Sequence, residues 1–269
     1  MSAEALAGLA GQVGANAVPV FFSLLAALLV LVAAGWWVLR SHVLPQARSR
    51  LRPLARVLLN AAIGFAIVLS AAALFAEIAE ALGPGASMSL VDAALTASIR
   101  LHVGATTLRV YGWLTHFGDV RALTLLGTGV ALLLWRQRQR ALALGWVLAL
   151  GGNALLNPML KRVFERVRPV HELGMVSELG WSFPSGHTSS ATVAYGMLAY
   201  LAVRTLPVVW HFPAVLAATA LAFTVGCSRV FLQVHFASDV GAGFASGTAW
   251  LAVCIVSVEL SRFFRGPAR

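Results

Sequence analysis

Seven stretches free of Asp, Glu, Lys and Arg divide this chain: Ala5 to Leu39, Val57 to Ala76, Ala122 to Trp135, Ala141 to Leu160, Thr188 to Val203, Thr205 to Ser228 and Val240 to Val258. Each can supply a helix of about 20 residues, the length needed to cross a hydrocarbon core, the shorter ones by recruiting interfacial flanks. Inside a bilayer the backbone must satisfy its own hydrogen bonds, which a helix does within one segment. With 59% hydrophobic and 11% charged residues and a mean hydropathy of +0.82, a water-soluble domain is excluded as the default. The sequence therefore predicts an all-α, polytopic transmembrane helix bundle of about seven spans. No polar linker or biased tract breaks it, so 1–269 reads as a single membrane domain.

The net charge of +10 is topological information. Arginines gather at Arg40, Arg48, Arg50, Arg52 and Arg56, at Arg136, Arg138 and Arg140, at Arg204, and at Arg262, Arg265 and Arg269. Alternating helices put all four groups on one side, which the positive-inside rule makes the cytoplasm and which leaves the N-terminus outside. The first apolar run is preceded only by Glu4, against the basic start of a cleavable signal. No soluble basic face or aromatic platform supports nucleic-acid binding. Cys227 and Cys254 sit in apolar runs without ligand-spaced partners and read as small core residues.

Residues Asp92 to Phe117 fall on the outer side and read as one or two interfacial helices. Gly118-Asp119 opens the next span, with Asp119 expected as its N-cap. Glu77 and Glu80 sit at the outer interface.

Three outward segments depart from this charge pattern. In Lys161-Arg162-Val163-Phe164-Glu165-Arg166-Val167-Arg168-Pro169, Lys161 and Arg168 stand seven apart, two helical turns, and share a face if the helix continues. Lys161 is the single lysine among 20 basic residues, a compact point charge suited to a phosphate oxygen. Arg162 and Arg166 read instead as interfacial anchors. Phe183-Pro184-Ser185-Gly186-His187-Thr188 starts a helix with Ser185 as cap and with backbone N–H groups able to face an anion. There His187 is placed either as a proton donor to a departing oxygen or as an ordinary interfacial histidine. In the third segment, Ser228 to Asp239, His235 and Asp239 are four apart on one helical face. The carboxylate can hold one ring nitrogen and leave the other as nucleophile, although an early-turn acid is also favoured by the helix dipole. An acid and a histidine entering a bilayer together are costly, and function is the default reading.

Taken in order, Lys161 with Arg168-Pro169, then Pro184-Ser185-Gly186-His187, then Ser228-Arg229 with His235 and Asp239, resemble the three-part signature of the type 2 phosphatidic acid phosphatase superfamily of membrane lipid phosphatases. The resemblance covers roughly 92–258. It implies a six-helix phosphatase core, to which residues 17–56 add an extra N-terminal span and basic cytoplasmic loop.

The resemblance further implies that His235 attacks phosphorus and forms a phosphohistidine, that Asp239 orients it, and that His187 protonates the leaving group. Lys161, Arg168, Ser185, the Gly186 amide and Arg229 are then expected around the phosphoryl oxygens. No cofactor and no metal are expected, because no carboxylate cluster or ligand-spaced histidine pair accompanies the motifs. The expected partner is a lipid phosphate or pyrophosphate within the bilayer, and undecaprenyl pyrophosphate, phosphatidic acid, phosphatidylglycerol phosphate and a lipid A phosphate all fit. The site is expected on the exterior or periplasmic side of a bacterial inner membrane. Two alternatives share these residues: a lipid phosphotransferase, and a non-catalytic phospholipid transporter or scaffold. The second lacks the matching interrupted helix that an inverted repeat requires.

Smaller expectations complete the reading. His171, Glu172 and Glu178 form a solvated loop, Asn153 and Asn157 satisfy neighbours within the bundle, and Trp113, Trp181 and Trp210 anchor the interface. Gly241, Gly243 and Gly247 allow close helix approach behind His235.

Overall fold

The computed structural model describes residues 2–43, 52–83, 87–169 and 180–265. Among them the regular structure is all helical, without a strand. The helices are α1 (Ala3–Ala15), α2 (Ala17–Val38), α3 (Pro53–Glu80), α4 (Met88–His102), α5 (Ala105–Leu114), α6 (Val120–Arg136), α7 (Arg140–Phe164), α8 (Gly186–Thr205), α9 (His211–Phe231) and α10 (Ala237–Arg265). Arg48, Arg50, Arg269 and the 171–178 loop residues His171, Glu172 and Glu178 lie outside the described residues.

Among the described residues, five helical segments are long and apolar enough to cross a membrane, and α5 with α6, bent by 42°, makes a sixth if counted as one span. The chain is an integral-membrane helix bundle, and with the bent pair counted these segments fall short of the seven expected by one helix, α8. The expected fifth run is helical as α8, but it is not apolar enough to be counted among these spans. Its Ser189, Ser190 and Thr192 lower its apolarity, yet the helix is shielded from lipid by α7, α9 and α10, so those hydroxyls meet protein. Asn153 donates to Ser190 Oγ at 3.0 Å and Asn157 to Ser189 Oγ at 3.3 Å, as buried amides in a bundle must. A span buried on all sides has no need of the lipid-facing side chains that a hydropathy window detects.

Two features bring α10 against α8. A Cβ on Gly243 would stand 2.8 Å from the Ser185 carbonyl oxygen, and one on Gly247 would stand 2.9 Å from that of Ser189. These two glycines thus allow the backbones to touch. Gly241 instead faces Ile78 of α3 at an ordinary 3.4 Å, so only two of the three expected glycines serve this contact.

Below the contact, Trp146, Leu142, Val193, Met197, Leu201 and Val258 form the core shared by α7, α8 and α10. Trp146 is fully buried and its Nε1 donates to the Gly127 carbonyl at 2.8 Å. Truncating a side chain of that size in such a setting costs about 3–5 kcal/mol.

The first apolar run is divided at Asn16. Ser2 caps α1 through the Ala5 N–H at 3.2 Å, and α1 lies along α4, where Ser98 Oγ donates to the Gly11 carbonyl at 2.6 Å. α2 packs on α9 through Phe21, whose ring meets those of Tyr111, Phe223 and Phe231. Its opposite face, with Phe22, Leu24, Val30 and Leu31, is exposed as a lipid-facing surface must be.

The end of α7, the start of α8, the end of α9 and the start of α10 meet at one end of the bundle. The arginines at 136–140, 204 and 262 belong to the opposite helix ends.

Candidate active site

Two short connections build the site. Between α9 and α10, the chain turns through Gln233 in the left-handed region, φ 56°, and its amides fold back so that the Arg229 carbonyl accepts from Val234 N at 3.2 Å and His235 N at 3.3 Å. The imidazole is thereby fixed just before α10, which begins at Ala237, so His235 lies outside the helix and meets Asp239 from the preceding turn and not from a shared helical face as the spacing suggested. After α7, Glu165 adopts φ 42° and ends the helix, so Lys161 and Arg168 do not share a continuous helical face as the spacing suggested. They converge by another route: Lys161 Nζ donates to the Trp181 carbonyl at 2.8 Å, and Arg168 reaches the same oxygen at 3.2 Å.

His235 is 1% exposed and its two nitrogens face opposite partners. Nδ1 lies 3.4 Å from Asp239 Oδ2 and 3.3 Å from Ser182 Oγ, while Arg168 Nη1 stands 3.1 Å from Nε2. A neutral ring protonated at Nδ1 satisfies both sides, with the Nε2 lone pair turned to the guanidinium. Burial pushes the imidazole down to about 4, opposed by Asp239 and reinforced by Arg168 and Arg229, so the ring is neutral at physiological pH. In this state Arg168 occupies the face of Nε2, and an incoming phosphate must take over its donor.

Asp239 is fully buried and fully engaged. Its Oδ2 accepts from Ser182 Oγ at 2.5 Å and from Phe236 N at 2.9 Å, and its Oδ1 accepts from Arg166 Nη1 at 2.7 Å. Its own carbonyl accepts from Ser185 N at 3.0 Å, which ties the third segment to the second. Ser185 occupies the N-cap position of α8, but its side chain does not cap. Its Oγ accepts instead from Thr188 Oγ1 at 2.9 Å. Gly186 is pressed against Asn157, whose Oδ1 would stand 2.9 Å from a Cβ there. Arg229, 1% exposed, donates from Nη1 to Thr115 Oγ1 at 2.7 Å. All eight residues selected from the sequence therefore lie at this one end of the bundle, linked by direct contacts or through adjacent residues.

Two further sequence readings are corrected. Arg166 is not an interfacial anchor. It turns inward, its side chain 14% exposed, and bridges Asp239 to Asp92 at 2.9 Å while covering the Phe236 ring at 4.3 Å. Arg162 does stay exposed. Asp119 occupies the N-cap position without capping. Its two oxygens bind His187 Nε2 at 2.7 Å and His116 Nδ1 at 2.6 Å.

Asp92, 1% exposed, and Ser182, fully buried, escaped the sequence reading. Asp92 also accepts from Ser238 Oγ and from Ser238 N at 3.2 Å. A signal existed: Asp92, Thr96 and Ile99 follow the i, i+4, i+7 stripe of α4, and an acid on a buried stripe needs a partner. Ser182 carried none, because nothing in the sequence places residue 182 beside residues 235 and 239.

The chain is similar to known proteins. Residues 140–263 match the PAP2 superfamily. Phosphatidylglycerophosphatase B of Bacillus subtilis is 42% identical over 103 residues, 38% of this chain and 50% of that protein. Decaprenylphosphoryl-5-phosphoribose phosphatase of Mycobacterium tuberculosis is 34% identical over 146 residues, 50% of this chain and 71% of the relative. The chain thus spans only half the length of the Bacillus relative. The crystal structure of a transmembrane PAP2 type phosphatidylglycerolphosphate phosphatase from Bacillus subtilis superposes with a TM-score of 0.69 at 31% identity, covering 74% of this chain and 98% of that one. With a 34% identical relative matched over 71% of its length and a 31% identical solved structure matched over 98% of its own, the chain belongs to the PAP2 superfamily.

Proposed function

We propose that this protein hydrolyses a lipid phosphate or polyprenyl pyrophosphate at the outer face of the membrane, through a phosphohistidine on His235 and without a metal. The observation that carries this reading is the imidazole held between Asp239 on Nδ1 and Arg168 on Nε2, neutral and aimed at the cationic side of the site. Phosphoryl transfer asks mainly for positioning and for positive charge around the equatorial oxygens. Lys161, Arg168 and Arg229 supply the charge, and the first-turn amides of α8 beside Ser185 and Gly186 supply donors.

In the first step Nε2 forms the bond to phosphorus as the P–O bond to the lipid breaks, and His187 gives the leaving oxygen its proton. In the second, water attacks the phosphohistidine, His187 takes the water proton, and inorganic phosphate leaves. Asp239 stabilises the positive ring through both steps. The relatives named above act on lipid phosphates by name, which supports the substrate class. The outer-face assignment rests on the arginines at the opposite helix ends.

The test is purified protein in detergent presented with phosphatidylglycerol phosphate, phosphatidic acid, a lipid A phosphate and undecaprenyl pyrophosphate. Phosphate release without an acceptor alcohol, together with a phosphoenzyme absent from His235→Ala, supports the reading. Lipid binding without turnover, unchanged by that substitution, refutes it.

A further inference from the structure

His187 is not held by the first helix turn alone. Its side chain is 15% exposed, and Nε2 lies 2.7 Å from Oδ1 of Asp119, 68 residues earlier in the chain. The ring rests on Gly118, where a Cβ would approach His187 Cδ2 to 3.2 Å and Val225 Cγ1 to 2.5 Å. A side chain at 118 would therefore push the ring away from the carboxylate. The second Asp119 oxygen is held by His116, 66% exposed, at 2.6 Å. Burial raises the Asp119 carboxyl, but the hydrogen bonds and charges of His116 and His187 outweigh it and keep the acid below the usual carboxylate range. A carboxylate with two histidine partners at the outward end of α6, and no capping bond of its own, is poorly explained as a helix start.

We propose, resting on the phosphatase reading above, that Asp119 is the positioning residue of the leaving-group acid, so that the site contains two carboxylate–histidine pairs: Asp239 with His235 for the nucleophile, and Asp119 with His187 for the proton. Asp119 engages Nε2–H, which assigns delivery to Nδ1. As the P–O bond breaks and its electron pair stays on oxygen, the Nδ1 proton moves to that oxygen and the lipid alcohol departs. His187 is left neutral with its proton on Nε2, still donating to Asp119. The attacking water later returns a proton to Nδ1. The carboxylate thus keeps one tautomer throughout and offsets the positive ring before transfer.

The experiment separates positioning of an acid from mere packing by changing the need for the acid. Asp119→Asn keeps shape and removes charge, and Asp119→Glu keeps charge. Each is assayed with an alkyl lipid phosphate, whose alkoxide must be protonated, and with 4-nitrophenyl phosphate, whose phenolate departs unaided. Positioned general acids contribute at least about 10²-fold, so Asp119→Asn is expected to lose about that much on the lipid and less than about 5-fold on the aryl ester, with Asp119→Glu recovering part of the loss. Equal losses on both substrates, or no loss on the lipid, overturn the inference while leaving the phosphatase reading intact. Wild-type protein inactive on every substrate overturns that reading, and this inference with it. Nitrogen NMR of ¹⁵N-histidine-labelled wild-type protein gives a readout independent of any variant's folding: a His187 ring bare at Nε2 also overturns it.

Discussion

Arg166 donates to Asp239 at 2.7 Å and, through its other terminal nitrogen, to Asp92, so one guanidinium neutralises two buried carboxylates from helices 147 residues apart in sequence (239 − 92). The planar fork of arginine suits this double contact, whereas an ammonium supplies a single point of charge. Asp239 is therefore itself oriented: Arg166 fixes Oδ1, and Ser182 and the Phe236 amide fix Oδ2, before the carboxylate meets His235.

Removing that guanidinium leaves two buried acids without a counter-charge. Arg166→Ala is expected to destabilise the folded protein by about 3–5 kcal/mol, read as a lowered thermal midpoint in detergent. Asp92→Asn in the same background should recover part of the loss, since one buried charge is gone. An unchanged midpoint in Arg166→Ala contradicts this.

Asp239→Asn preserves the shape of the pocket but offers Nδ1 an amide in place of a carboxylate. Turnover is expected to fall by about 10⁴-fold while the fold is retained, as when an orienting acid is removed from another histidine dyad. Near wild-type rates would remove Asp239 from the mechanism.

The acid limb of activity follows from His235. Protonating Nε2 destroys the nucleophile, so kcat/KM falls as pH drops through the imidazole's pKa. Burial moves that value down to about 4, from an ordinary 6.5, so activity should persist through pH 5 and fail only below it. A limb near the ordinary histidine value would mean that the ring is better solvated than the structure shows.

Gly243 and Gly241 offer a matched pair. A Cβ at 243 collides with the Ser185 carbonyl at 2.8 Å, whereas at 241 it meets Ile78 at 3.4 Å. Gly243→Ala is expected to shift the start of α8 and cut turnover by up to about 10²-fold, because small misplacements near reacting atoms are that costly. Gly241→Ala should leave turnover within about 2-fold and stabilise α10 slightly, by about 0.5–1 kcal/mol. Phosphate release and thermal midpoints of the two variants decide it.

Vanadate, which adopts five-coordinate geometry at phosphorus-like centres, should compete with substrate for His235. Activity should survive EDTA. Loss with EDTA and recovery with magnesium would assign the charge to a metal in place of Lys161, Arg168 and Arg229.

The sequence alone determined the membrane class, the helical composition and the eight motif residues at the candidate site, because each depends on short-range facts. An apolar run long enough to span needs no tertiary context, and the order and spacing of the motif residues are read along the chain without one. Apolarity alone does not mark α8 as a span, because its burial among α7, α9 and α10 relieves it of the lipid-facing side chains that an exposed span requires. The sequence misjudged Arg166 and Asp119, whose local settings fit an interfacial anchor and a helix cap. What each does instead depends on which distant group stands opposite: Asp92 and Asp239 for Arg166, and His187 for Asp119. Those pairings arise only when the helices pack, since a buried charge takes the partner that the bundle places within reach.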